Sequence, residues 1–180
     1  MKFSRAEIPD VIIIEPQIFS DERGYFFESF KQNELNEFLG YDVNFCQDNE
    51  SKSTYGVLRG LHYQELPFAQ AKLVRVIQGC VLDVAVDIRK NSSAFGKHVA
   101  IELNDQNKRQ LFIPRGFAHG FVVLSKTAIF SYKVDNYYDI ESERGIAYND
   151  PNLKIDWKIN VEDLKISEKD SQYPLLSLIK

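Results

Sequence analysis

The chain is poor in the residues that commonly mark a cofactor site or a stapled scaffold. Its 180 residues hold 2 cysteines and 3 histidines. Cys46 and Cys80 stand in neither a CxxC nor a zinc spacing, so neither a disulfide framework nor a zinc ribbon is expected. Both read as small buried hydrophobes of a reducing compartment. No glycine-rich dinucleotide fingerprint and no P-loop occurs. The aliphatic run "VIII", Val11 to Ile14, is far too short to span a membrane. The opening "MKFSRAEIPD" lacks the apolar centre of a signal peptide, and a cytoplasmic protein is expected. An excess of one charge is missing too. With 22 Lys+Arg against 26 Asp+Glu the net charge is −4, which argues against a general nucleic-acid or anionic-membrane surface and leaves room for a local basic pocket. No linker, repeat or low-complexity stretch divides the sequence, so residues 1–180 are read as one domain.

What is present suits a packed β protein. A hydrophobic content of 44%, with 13% aromatic residues, is enough to bury a core. "VLDVAVDI" sets Leu82, Val84, Val86 and Ile88 against Val81, Asp83, Ala85 and Asp87, the period-2 pattern of a strand. "AIFSYKV" does the same, with Ala128, Phe130, Tyr132 and Val134 on one side. "HVAIEL" and "RQLFIP" flank the turn "NDQNK" and read as a hairpin. One helix is predicted near the start, with Ser29 and Gln32 as a capping box, Leu35, Phe38 and Leu39 as its apolar stripe and Gly40 closing it. A short helical turn is expected from Ser167. Many short strands and few helices point to an antiparallel sandwich or barrel of jelly-roll type.

The stretch "GVLRGLHYQ", 56–64, carries Arg59, His62 and Gln64 among apolar neighbours. Strict alternation puts Arg59 and His62 on opposite faces, and a bulge at Gly60 would bring them together. Gln64 follows His62 where metal-binding barrels of this kind carry a second histidine, and only His98 and His119 remain in the chain, so no metal site is expected. "PRGFAHGF" holds Arg115 and His119 between Phe117 and Phe121, a polar site with apolar walls. A carboxylate beside His62 would fix its tautomer, and Asp83 and Asp87 are candidates within the barrel.

"DERGYFFESF", "QDNESKSTYGVLRGLHYQ", "AQAKLVRVIQGCVLDVAVDIRKNSSAFGK", "QLFIPRGFAHGF", "YKVDNYY" and "WKIN…LKISEKD" occur in that order. Together they closely resemble the dTDP-4-dehydrorhamnose 3,5-epimerase family. Glu50, Ala71, Tyr148 and Lys158 depart from the usual family residues, and Glu50 and Ala71 adjoin expected contact positions.

The resemblance implies an all-β, cupin-type jelly roll that needs no metal or other cofactor. It would invert carbons 3 and 5 of a dTDP-linked 4-keto-6-deoxy sugar on the way to an L-rhamnose precursor. His62 matches the family's general base, Asp170 its partner, Tyr132 the proton donor and Lys72 the cation beside the ketone oxygen. Arg23, Glu28, Gln47, Asn49, Arg59, His119, Glu143 and Lys169 match contacts to the nucleotide sugar, and Tyr138 the ring that stacks on thymine. The family also implies a homodimer with exchanged N-terminal strands, in which Arg23 and Glu28 serve the partner's site. Neither a nucleic acid nor a membrane is an expected partner. A mono-epimerase, a metal-dependent cupin and a catalytically silent sugar-binding module remain the alternatives.

Overall fold

The computed structural model describes residues 1–179. Among the described residues fourteen short strands follow one another. They begin with β1 (Lys2–Arg5), β2 (Ile12–Glu15), β3 (Phe19–Asp21) and β4 (Gly24–Phe26). After helix α1 (Gln32–Leu39) come β5 (Gln47–Thr54), β6 (Val57–Gln64), β7 (Lys72–Gln78) and β8 (Cys80–Asp87). Next are β9 (His98–Asn104), β10 (Gln110–Ile113), β11 (Phe117–Val123), β12 (Thr127–Val134) and β13 (Glu143–Gly145). The two-residue β14 (Lys165–Ile166) and helix α2 (Glu168–Ser171) complete the series.

Two large sheets form, in the orders β1-β2-β10-β7-β12-β5 and β13-β6-β11-β8-β9, with β14 added beside β6. Strands β3 and β4 make a separate hairpin. Apart from β14, every pairing is antiparallel. The expected all-β class of antiparallel strands with few helices is what the chain adopts.

Burial explains the layering. Val74, Leu111 and Phe130 of the first sheet meet Val81, Ala85, Leu103 and Phe121 of the second in one inner core. Alternation then sends Leu82, Val84 and Val86 to the outer face of the second sheet, where Ile146, Leu153, Trp157 and Leu176 of the C-terminal segment cover them. The outer face of the first sheet, at Ile12, Ile14, Leu73 and Phe112, is covered by Leu35 of α1. Strand β8 is therefore apolar on both faces, and the charged Asp83 and Asp87 are fully buried within it.

Three expectations are corrected. Cys46, expected to be buried, is exposed, and Cys80 is only half-buried. Helix α1 ends as predicted at Gly40, which adopts φ +79° and donates its N–H to Asn36 O, but its N-cap is Lys31 without a side-chain bond. Ser29 instead gives its carbonyl to the Gln110 amide, and the Gln32 amide bonds Asn44. Nor do β9 and β10 pair. Asn104 accepts from the N–H groups of Gln106 and Asn107 in the connecting turn, which carries the chain from one sheet to the other. All four residues of β10 are buried, and pairing with β2 and β7 places it in the middle of the first sheet.

Candidate functional site

A cavity of about 230 Å³ opens between the two sheets. Gln47 and Asn49 of β5, Lys72 of β7 and Tyr132 of β12 line it from the first sheet. His62 and Gln64 of β6 and Glu143 of β13 line it from the second, and Tyr138 stands on the loop after β12. Residues far apart in sequence meet here through strand register. Tyr132 lies opposite Asn49, Glu143 opposite Gln64, and His119 opposite His62.

The predicted bulge exists. His119 pairs with His62 while Phe121 pairs with Arg59, so Gly60 and Leu61 together face Gly120 alone. Gly60 has φ +126°, and a Cβ there would lie 2.6 Å from the Gly120 Cα, so neither a side chain nor its backbone shape is tolerated. The offset turns Arg59 inward, where its Nε donates to Ser53 Oγ of the facing sheet at 3.2 Å. Arg59 and His62 thus share the inner face.

His62 is held by a residue of helix α2. Its Nε2 lies 2.8 Å from Asp170 Oδ1, and Asp170 Oδ2 accepts the Gly60 N–H at 3.1 Å. Ser167 caps α2 by accepting the Asp170 N–H, which fixes the carboxylate's position. Burial pushes the Asp170 carboxyl up, but the His62 bond and charge and the Gly60 N–H outweigh it, and its pKa falls below the ordinary value. An ionised Asp170 accepts a hydrogen bond from Nε2–H, which leaves the Nδ1 lone pair as the free base. The Tyr173 ring meets the imidazole edge-on at a centroid distance of 5.6 Å. Neither inner-strand carboxylate serves His62. Asp83 Oδ2 bonds His119 Nε2 at 2.9 Å, and Asp87 is occupied by Arg89 and Ser92.

Opposite, burial raises the Tyr132 hydroxyl pKa, with Arg59 opposing and Glu143 reinforcing the shift. Desolvation lowers the half-buried Lys72 ammonium to about 8, while Asp83 and Glu143 pull it back up. His119, beneath the site, is also lowered by burial, against the pull of Asp83. Around the mouth, Glu143 accepts from Tyr138 Oη and Lys169 Nζ, and Gln47 Nε2 donates to Asn49 Oδ1 at 2.8 Å.

Seven of the thirteen residues singled out in the sequence line the cavity directly: His62, Lys72, Tyr132, Gln47, Asn49, Tyr138 and Glu143. Asp170, Arg59, His119 and Lys169 stand close behind, bonded to or facing those residues. Arg23 and Glu28 do not line it. Arg23 lies on the exposed β3–β4 turn bound to Asp21, and Glu28 pairs with Lys31. The sequence reading assigned no role to Tyr63 or Gln70 in the wall, or to Tyr173 against His62. Neutral wall residues carry no motif of their own, although the position of Gln64 two residues after His62 was a signal. Among the described residues no three His, Cys, Asp or Glu side chains gather as a metal-ligand set.

The family model described as dTDP-4-dehydrorhamnose 3,5-epimerase matches residues 5–177. The dTDP-4-dehydrorhamnose 3,5-epimerase of Shigella flexneri is 56% identical over 170 residues, 94% of this chain and 93% of that protein. The crystal structure of the enzyme of that name from Elizabethkingia anophelis NUHP1 superposes with a TM-score of 0.95 at 54% identity, covering 98% of this chain and 97% of that one. The Legionella pneumophila dTDP-6-deoxy-D-glucose-3,5-epimerase, in complex with dTDP-4-keto-L-rhamnose, gives 0.96 at 51% identity over 99% and 94% of the two chains.

Proposed function

The chain belongs to the dTDP-4-dehydrorhamnose 3,5-epimerase family, and on that premise we propose that it inverts carbons 3 and 5 of dTDP-4-dehydro-6-deoxy-D-glucose to give dTDP-4-dehydro-L-rhamnose. The observation that carries the reading is an Asp170-polarised imidazole and a tyrosine on opposite sheets of one cavity, with a lysine in the same wall as the tyrosine.

A hydrogen beside a ketone is acidic because its electron pair can move onto the carbonyl oxygen. His62 Nδ1 takes the proton, the C–H electrons pass into the enolate, and the Lys72 ammonium stabilises the oxyanion. Inversion requires the new C–H bond to form on the opposite face. Tyr132 donates that proton and regains one from water. The ionised Asp170 favours the imidazolium that His62 becomes after abstraction. Arg59, with its fork of donors, suits a diphosphate, as Arg23 does, and the exposed ring of Tyr138 suits a stacked base. Gln47, Asn49, His119, Glu143 and Lys169 complete the proposed contacts.

The assembly we propose is a homodimer. Arg23 lies away from its own chain's cavity, on a hairpin that exposes Phe19, Tyr25 and Phe26 at 54%, 59% and 66%. That hairpin suits a neighbour that would bury it and receive Arg23 and Glu28.

The test is incubation with dTDP-4-dehydro-6-deoxy-D-glucose in heavy water without added metal, followed by proton NMR. Deuterium at both carbons is expected. Deuterium at one carbon would replace the reading with a mono-epimerase, and none would refute proton abstraction.

A further inference from the structure

We propose that Gln64 is a positioning residue for this site, a carboxamide that clips the loop carrying Tyr138 to the strand carrying His62; the inference rests on the reading above. Gln64 is 8% exposed, and its amide is fully engaged with backbone. Its Oε1 accepts the Asp139 N–H at 2.8 Å, and its Nε2 donates to Phe68 O at 3.1 Å and Tyr137 O at 3.4 Å. Both amide hydrogens and the oxygen are used. Two of the three partners are the groups on either side of Tyr138.

This arrangement addresses a physical problem. Tyr138 is 50% exposed, so packing does little to fix its ring. Backbone pins do that instead. Besides Gln64, Gln70 Nε2 donates to Asn136 O at 2.8 Å, Asn136 Nδ2 to Pro67 O at 3.0 Å, and Asp135 Oδ1 accepts the Ala71 N–H at 2.6 Å. The Tyr138 N–H itself reaches Gln47 Oε1 at 3.5 Å, and Gln64 holds the backbone groups to either side of it. Gln64 lies two residues from His62 and opposite Glu143, which accepts the Tyr138 hydroxyl. One side chain therefore ties the loop that carries the stacking ring to the strand that carries the base. A direct bond from Gln64 to the sugar would require it to break a buried bond to the loop.

Gln64→Met keeps length and volume while removing all three bonds. Asn136→Ala removes a pin of the same loop at a residue outside the cavity wall. In the full-length enzyme, KM for dTDP-4-dehydro-6-deoxy-D-glucose and Kd for dTDP are expected to rise about tenfold in Gln64→Met, with kcat changed by no more than about twofold. Asn136→Ala should show the same split to a smaller degree. In a Tyr138→Ala background the effect of Gln64→Met on KM should disappear, because the clip would have no ring to place. A fall in kcat at unchanged KM would overturn the proposal, as would effects of the two substitutions that simply multiply. Should Gln64→Met fail to fold, an unchanged KM in Asn136→Ala overturns it. Absence of deuterium exchange in the unsubstituted enzyme would sink the epimerase reading instead, and weaker dTDP binding by Gln64→Met would still support the clip.

Discussion

Lys72 shows how one side chain is set by two opposing demands. The proposed oxyanion role needs its ammonium charged, whereas the cavity wall strips that charge of water and lowers the pKa from 10.5 to about 8. The signs of the two consequences differ. As pH rises through about 8, the folded protein loses the ammonium and turnover should fall. Between about 8 and 10.5 the unfolded chain binds more protons at this group than the folded one, so its contribution to stability rises with pH. A pH–rate profile and denaturant titrations at pH 7.5 and 9 measure the pair. Turnover that stays level to pH 10 would remove Lys72 from the oxyanion role. The residue type was legible in the sequence, and its altered acidity was not, because desolvation arises only when β7 is packed into a sheet beside β12. Asp170 was readable only through family resemblance, since its partner is 108 positions away and the nearer carboxylates, Asp83 and Asp87, looked equally suitable.

At the scale of elements, period and punctuation carried much of the fold. Alternation in β8 and β12 placed their side chains correctly, and Gly40 closed α1. Ser29 and Gln32 misled because a capping box is a local pattern, and in the folded chain Ser29 is claimed by Gln110, 81 positions away. The β9–β10 turn misled for a related reason. Its side-chain bonds make a good turn, yet burial of β10 on both faces selects strands of the other sheet as neighbours. The Gly60 bulge was suggested by Gly60 itself, and its mate was hidden. Gly120 needs no left-handed backbone, but a Cβ there would lie 2.7 Å from Arg59 O. Gly120→Ala should therefore push β11 from β6, costing about 1–3 kcal/mol in a denaturant melt, and should reduce activity by shifting His62. A variant as stable and active as the parent would show that the strands yield freely.

At the scale of the whole molecule, the proposed dimer makes a prediction that no isolated chain can satisfy. If Arg23 serves the neighbouring cavity, His62→Ala and Arg23→Ala would each be nearly inactive alone. Dissociated, mixed and reassembled, they would form dimers containing one site with both wild-type groups. Random pairing gives about a quarter of the parental activity. No recovery, together with demonstrated mixing, would confine each site to a single chain. Tyr25 and Phe26 stand in "DERGYFFESF" with nothing to mark their exposure, because the sequence of one chain does not say which surfaces a second chain covers.

His62 and Tyr132 hang from different sheets, and between those sheets the Phe121 and Phe130 rings of the inner core stack at 4.2 Å. The gap across which a sugar must fit is therefore a caliper whose jaws are set by aromatic thickness. A core residue that never meets the substrate helps decide how large a ring the enzyme can grip from both sides, and selection for a different sugar can act on the spacer as well as on the jaws.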